Sequence, residues 1–240
     1  MLLDQGDKNM PIEQENKADF IKVRDIDLKL LSSVNAQIDS MVGAQLVVTG
    51  SYAIEALASH QLKHEDMDAN VLASNLSIDI PKVVSIMENL SMQDLKLQLF
   101  KSTYDRLEYD VLLEQLDSRR LELQFVEAER VEGSENDYRL KDGGIVPTVI
   151  VPLKNSKGQE YLFRIKSLSY AIATWAIRIS GVIENPKRQV RQSDLEHLKL
   201  LLSSSFQKED VIFVMSHHPQ MPSNMSESEV FNRAMERLKL

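Results

Sequence analysis

Val47–Val71 reads VVTGSYAIEALASHQLKHEDMDANV, and how this stretch folds decides the rest of the chain. Val47, Val48 and Thr49 are expected to end a buried strand, and Gly50 and Ser51 to turn the chain tightly. Tyr52 to Leu62 then reads as a helix with Ala53, Ile54, Ala56 and Leu57 directed inward. Glu65, Asp66, Met67 and Asp68 follow, before a second apolar run from Val71 to Ala73. On an extended segment alternate side chains share a face, so Asp66 and Asp68 are expected to point the same way while Met67 turns into the core. Two carboxylates held side by side repel each other unless a cation lies between them. Magnesium is commonly held by one or two carboxylates together with substrate phosphates. Acidic runs are usually solvated turns; the strand, the Gly-Ser turn and the helix ahead of this one set it apart.

That order of features resembles the nucleotidyltransferase superfamily, and in particular the AbiEii-type nucleotidyltransferases, whose pattern is GG-x-A-L followed downstream by S-E-D-I-D-L. Gly50, Ser51, Ala53, Ile54, Glu65, Asp66 and Asp68 fall in register with it without a gap. His64 replaces the Ser or Thr that commonly precedes the acids, and Ala69 replaces the aliphatic residue after them. The resemblance implies an α+β fold: a mixed sheet flanked by helices, followed by a C-terminal helical domain.

With 240 residues the chain can bury a sizeable core, in one large domain or two small ones. It has no cysteine, so it can carry neither a disulfide framework nor a thiolate zinc site. No segment approaches the run of about 18 apolar residues that suggests a membrane span, and the polar N-terminus does not read as a signal segment. Cytoplasmic residence is the expectation. The net charge of -8 argues against a protein that coats nucleic acid non-specifically, while leaving room for a local basic patch.

Residues 1–18 read as a poorly ordered lead-in, residues 19–165 as the α/β domain and residues 166–240 as the helical domain. A helix is expected from Asp25 or Asp27 to Met41, on the spacing of Leu30, Leu31, Val34 and Ile38, and a strand from Gln45 to Thr49. Pro81 sits where a helix likes to start, ahead of Val83, Val84, Ile86, Met87 and Leu90. From Lys96 the period becomes two, with strands predicted around Leu97–Leu99, Leu107–Leu113 and Leu121–Val126 and a polar turn at Asp117 and Ser118. Residues 127–145 are charged and turn-rich, and Val146–Val151 and Tyr161–Ile165 read as a hairpin joined through Asn155–Gly158. The resemblance implies a third carboxylate on a strand beside the Asp-x-Asp pair. Glu122 is the first choice, Asp110 the second and Glu108 the third; periodicity alone does not choose among them.

Further on, Ser167 is expected to cap a helix carrying Leu168, Ala171, Ile172, Trp175, Ala176 and Ile179, which Gly181 stops. After a linker around Glu184–Val190, Ser193 is expected to cap a helix with Leu195, Leu198, Leu201 and Leu202, and a last helix runs from Ser226. Ala173, Arg178 and the run Asp194-Leu195-Glu196-His197-Leu198 resemble the superfamily's A-x-K-x-x-A-x-x-R and D-x-x-D-L-x-x-L helices. Trp175 stands where the lysine is expected, and Arg191 near the first aspartate. Lys166, Arg178, Lys187, Arg188 and Arg191 remain as cations for a triphosphate, although most basic residues on helices are solvated. His64, beside the acids, is a base, a phosphate donor or a solvent-facing residue; His217 and His218 read as a loop pair.

The resemblance implies transfer of a nucleoside monophosphate from an NTP to an acceptor with release of pyrophosphate. Asp66, Asp68 and Glu122 would hold Mg²⁺ or Mn²⁺, Asp110 stands as the alternative acid, and Gly50, Ser51, Arg178 and Lys166 would bind substrate. The acceptor, whether RNA, protein or small molecule, stays open, and an antitoxin is a possible partner if the AbiEii likeness extends to toxin–antitoxin pairing. The competing reading is a catalytically silent module of the same fold that binds a nucleotide or a partner protein.

Overall fold

The computed structural model describes residues 12–41, 43–60, 62, 66–91, 96–103, 105–112, 119–181 and 190–239. Alternating apolar and polar residues build a sheet of eight strands: β1 (Ala44–Val48), β2 (Asp66–Ala73), β3 (Lys96–Thr103), β4 (Arg106–Leu112), β5 (Arg119–Arg130), β6 (Asp137–Leu140), β7 (Ile145–Lys154) and β8 (Glu160–Lys166). Their order is β2-β1-β8-β7-β6-β5-β4-β3, and β5 also pairs with β2, so the ladder from β2 through β8 to β5 returns on itself. The β1/β8 and β2/β5 pairs are parallel and the others antiparallel, which makes the sheet mixed.

One face of this sheet is apolar because every second residue of β2, β4 and β5 is: Met67, Val71, Leu107, Val111, Leu121 and Leu123 are fully buried. They pack against α1 (Ile12–Asp39) and α3 (Leu76–Ser91), which contribute Leu31, Val34, Ile38, Val83 and Met87 to the same core. Two ion pairs run through it. Asp27, with no exposed surface, accepts hydrogen bonds from Tyr52 Oη and Arg119 Nη2, both at 2.8 Å, and Arg24 Nη2 meets Glu55 Oε1 at 2.5 Å. These pairs tie α1 to α2 (Gly50–Ala58) and to the start of β5. The other face carries Asp68, Glu122 and Glu108 in one row across β2, β5 and β4, and Asp66 and Asp110 on either side of Arg120 in the next.

A second core joins α4 (Leu168–Ser180), α5 (Gln192–Leu202), α6 (Lys208–Ser216) and α7 (Glu227–Leu238) through Ile172, Ala176, Leu198, Leu201, Val211, Val230 and Ala234. Ile54 of α2 is part of it, so α2 is shared between the sheet and the helices. Ser167 and Ser226 cap α4 and α7 by accepting from Tyr170 N and Glu229 N, and Gly181 ends α4 at φ 75°.

Some boundaries differ from expectation. The first helix begins at Ile12, well ahead of Asp25. Pro81 lies inside α3, because Asn75 opens that helix earlier: its carbonyl accepts from Ile78 N and Asp79 N, and Asp79 reaches back to Asn75 N. Arg191, not Ser193, caps α5. β6 and α6 were not expected; β6 is only four residues long, and the buried residues of α6 are Val211 and Met215 alone, too few to mark a period. Among the described residues no helix is long and apolar enough to cross a membrane.

Candidate active site

The turn between β1 and α2 is where the polar face becomes a site. β1 pairs antiparallel with β2, and Thr49 N continues the ladder by donating to Asp68 O at 2.8 Å. The chain then turns through Gly50 at φ 62°, a left-handed conformation that glycine adopts without a steric penalty. A second reason for glycine is space. A Cβ there would touch Asp68 Oδ2 and lie 3.1 Å from Asp68 Cβ and Cγ. The Asp68 carboxyl is therefore pressed against the first residue of a helix, whose free amides favour anions. Ser51 occupies the first turn of the same helix.

Strand register brings the acids together. Asp66 and Asp68 share a face of β2; in the parallel β2/β5 pair Asp68 lies opposite Glu122, and Asp66 opposite Arg120. Burial pushes the Asp68 carboxyl up to about 7, with the charges of Asp66 and Glu122 adding to the rise and those of Arg106 and Arg191 opposing it. Glu122 meets Arg106 Nη1 at 3.3 Å. Asp110 lies one strand further out, on β4, where Arg120 Nη2 approaches it at 3.5 Å. Glu108 is buried between Lys101 Nζ, at 3.3 Å, and Arg120 Nη1, at 3.8 Å. Of the three acids proposed beside the pair, Glu122 is thus the direct neighbour of Asp68, while Asp110 and Glu108 are engaged by Arg120.

The remaining substrate-binding candidates lie on either side. Lys166 ends β8, on the same sheet face as Asp68 with β1 between them. Its ammonium lies 5.4 Å from the centre of the Tyr170 ring, and burial pushes its pKa down to about 8. Arg178 stacks on Trp175 at 4.7 Å and reaches Asp194 Oδ1 at 3.5 Å, so the tryptophan in the expected lysine position serves as a platform for the arginine. His218 is buried: its Nδ1 accepts from Gln220 N at 3.2 Å, which leaves Nε2 to donate to Thr174 Oγ1 at 3.1 Å, and burial with nearby Lys166 pushes its pKa down to about 4. It is a neutral structural histidine, and His217 contacts Ser216 and Phe213 instead. His64, Glu65, Lys187 and Arg188 lie outside the described residues.

Two arginines that act on Asp68 come from opposite sides of the site. Arg106 was missed in the sequence because nothing local marks it; it matters only through the antiparallel β4/β5 register, which sets it two pairs from Glu122 on the same face. Among the described residues no three acidic or histidine side chains stand together as a ready-made cation cage. The donor set instead fits an ion held by the Asp66 and Asp68 carboxylates and completed by ligand oxygens, which is how magnesium is usually bound. The raised Asp68 pKa fits that need: burial takes water from the carboxylate, and the charges of Asp66 and Glu122 add to the rise. Two cavities lie elsewhere. One of ≈ 580 Å³ is lined by Arg24, Glu55 and the β7–β8 turn, and one of ≈ 380 Å³ by Asp39, Gln45 and Tyr138. Asp66, Asp68 and Glu122 line neither of these two.

No family model matches the sequence, and no curated protein matches it either. Solved structures do. The antibiotic-resistance factor ANT(2'')-Ia is similar at 15% identity and a TM-score of 0.46, over 79% of this chain and 89% of that one. An antigenic nucleotidyltransferase-like protein from Paracoccidioides brasiliensis is similar at 11% identity and a TM-score of 0.48, over 90% and 88%. The nucleotidyltransferase toxin MenT4 from Mycobacterium tuberculosis H37Rv is similar at 13% identity and a TM-score of 0.40, over 89% and 85%. The structural neighbours of this chain are thus nucleotidyltransferases, at low identity.

Proposed function

We propose that this protein is a metal-dependent nucleotidyltransferase that moves a nucleoside monophosphate from an NTP to an acceptor hydroxyl. The observation that carries the proposal is the placement of Asp68: in register with Glu122, two residues from Asp66, pressed on Gly50, with its carboxyl pushed up to about 7. Asp66 and Asp68 would hold Mg²⁺ or Mn²⁺, with Glu122 beside them. When bound, such an ion supplies positive charge to phosphate oxygens and to an attacking oxygen. The chain's own parts do the rest. Gly50 lets the Asp68 carboxyl approach the backbone, and the first amides of α2 with Ser51 would receive phosphate oxygens. Glu122, or Asp110 as the alternative acid, would take the acceptor's hydroxyl proton. The acceptor oxygen forms a bond to the α-phosphorus as the bond to the bridging oxygen breaks, and pyrophosphate leaves with that electron pair. The helical half, residues 166–240, would contribute to the same site through α5, which packs on α2. RNA, a protein or a small molecule can serve as acceptor, and an antitoxin would be a partner if the AbiEii likeness extends that far.

Calorimetric titration with each NTP in MgCl₂ or MnCl₂, followed by transfer of α-phosphate label to candidate acceptors, tests this. Metal-dependent binding that disappears in Asp66→Asn and Asp68→Asn supports it; an unaltered chain that binds no NTP with either metal refutes it. The Glu122–Arg106 ion pair favours a second reading, a silent module that binds nucleotide without transfer. That reading predicts NTP binding with no labelled product for any acceptor, and self-labelling or labelled acceptor excludes it.

A further inference from the structure

Phosphates entering this site bring several negative charges to a place already occupied by Asp66, Asp68 and Glu122, so they need a cation whose donors are still open to solvent. Arg106 is paired with Glu122. Arg120 is divided between Asp110 and Glu108 and lies over the Phe100 ring at 4.2 Å. Arg178 is mostly covered by Trp175 and Asp194. Arg191 differs. Its side chain is 68% exposed, and it caps the N-terminus of α5, the helix that packs along α2.

The geometry behind that placement is a pair of helices laid side by side. Ser204, just past the end of α5, donates to Leu57 O near the end of α2 at 3.1 Å, and α5 packs along α2, with Leu198 and Leu201 in the same core as Ile54. The two helices therefore run in the same direction, and both N-termini face the carboxylates. Asp194 fixes this end. It has no exposed surface; its Oδ2 accepts from Arg191 N at 3.0 Å, and its Oδ1 lies 3.4 Å from Arg191 Nη2 and 3.5 Å from Arg178 Nη2. The buried carboxylate thus fixes both the backbone at the start of α5 and the two arginines beside it.

We infer that Arg191, oriented by Asp194 at the paired N-termini of α2 and α5, is the cation that binds the β- and γ-phosphates of the incoming nucleoside triphosphate. The inference rests on the nucleotidyltransferase reading and assigns the phosphate subsite within it. Asp194 is a positioning residue: it touches Arg191, not the nucleotide.

The test is competition between NTP and the matching NMP, in MgCl₂, for the unaltered chain, Arg191→Ala, Arg191→Lys and Asp194→Asn. A charge-assisted contact to phosphate predicts that Arg191→Ala weakens NTP binding about 10–100-fold. NMP binding, which lacks the β- and γ-phosphates, stays unchanged, and Arg191→Lys recovers part of the loss. Asp194→Asn weakens NTP binding in the same selective way; if that variant fails to fold, the Arg191 pair decides by itself. Equal NTP affinity for Arg191→Ala and the unaltered chain overturns the inference and leaves the nucleotidyltransferase reading intact, as does an equal loss for NTP and NMP. An unaltered chain that binds no NTP removes both.

Discussion

Replacing Asp68 by Asn is expected to stabilise the metal-free protein above neutral pH. The carboxyl of Asp68 titrates near 3.8 in the unfolded chain and near 7 in the folded one, because it is buried beside Asp66 and Glu122 and only partly relieved by Arg106 and Arg191. An acid whose pKa is raised by folding contributes its full stability below its unfolded pKa and loses it as pH rises to the folded value. A difference of about 3 units at 1.36 kcal/mol each gives roughly 4 kcal/mol lost between about pH 4 and pH 7. Asn keeps the shape and never ionises, so the variant does not suffer the loss. The difference in stability between Asp68→Asn and the unaltered chain should be smallest near pH 4, grow to about 4 kcal/mol above pH 7, and correspond to a gap on the order of 10 °C in Tm. Thermal melts of both chains in metal-free buffer from pH 4 to pH 8.5 measure it, and taking the difference cancels other titrating groups. Adding MgCl₂ at pH 8 should raise the Tm of the unaltered chain and leave the variant in place, since a ligand stabilises only what binds it. A difference curve that is flat, or that falls with rising pH, refutes the electrostatic reasoning behind the site.

Three more outcomes follow from the same structure. Gly50→Ala should cost at least about 1 kcal/mol from its left-handed backbone, and more from contact with Asp68, and should weaken metal-dependent NTP binding; urea melts and titration check both. Arg24→Met leaves Glu55 buried without its 2.5 Å partner and should cost about 3–5 kcal/mol, read as a lower urea midpoint at unchanged slope. His218 is held neutral, with a folded pKa of about 4 against the ordinary histidine value of 6.5, so the unfolded chain binds the extra proton and stability falls as pH drops from 6.5 towards 4. His218→Gln should remove about 3 kcal/mol of that dependence, seen as a flatter Tm profile between those pH values.

The local pattern around Gly50 determined a good deal. The strand, the turn and α2 follow from apolar spacing and one glycine, and alternation in β2 is enough to set Asp66 and Asp68 on one face with Met67 on the other. The caps at Ser167, Gly181 and Ser226 are similarly local, since each depends on hydrogen bonds or dihedral angles within a few residues. Which acid stands beside Asp68 was not local. Glu122, Asp110 and Glu108 have the same alternating surroundings, and only the parallel β2/β5 register, between strands far apart in sequence, puts Glu122 opposite Asp68. The cations were decided the same way: Arg106 through the β4/β5 register, Arg191 through the packing of α5 alongside α2, and Trp175 as a support for Arg178 rather than a missing lysine. Sequence periodicity specifies which face a side chain takes on its own element, whereas the neighbour it meets depends on how distant elements pair, and that is settled only when the whole chain buries its core.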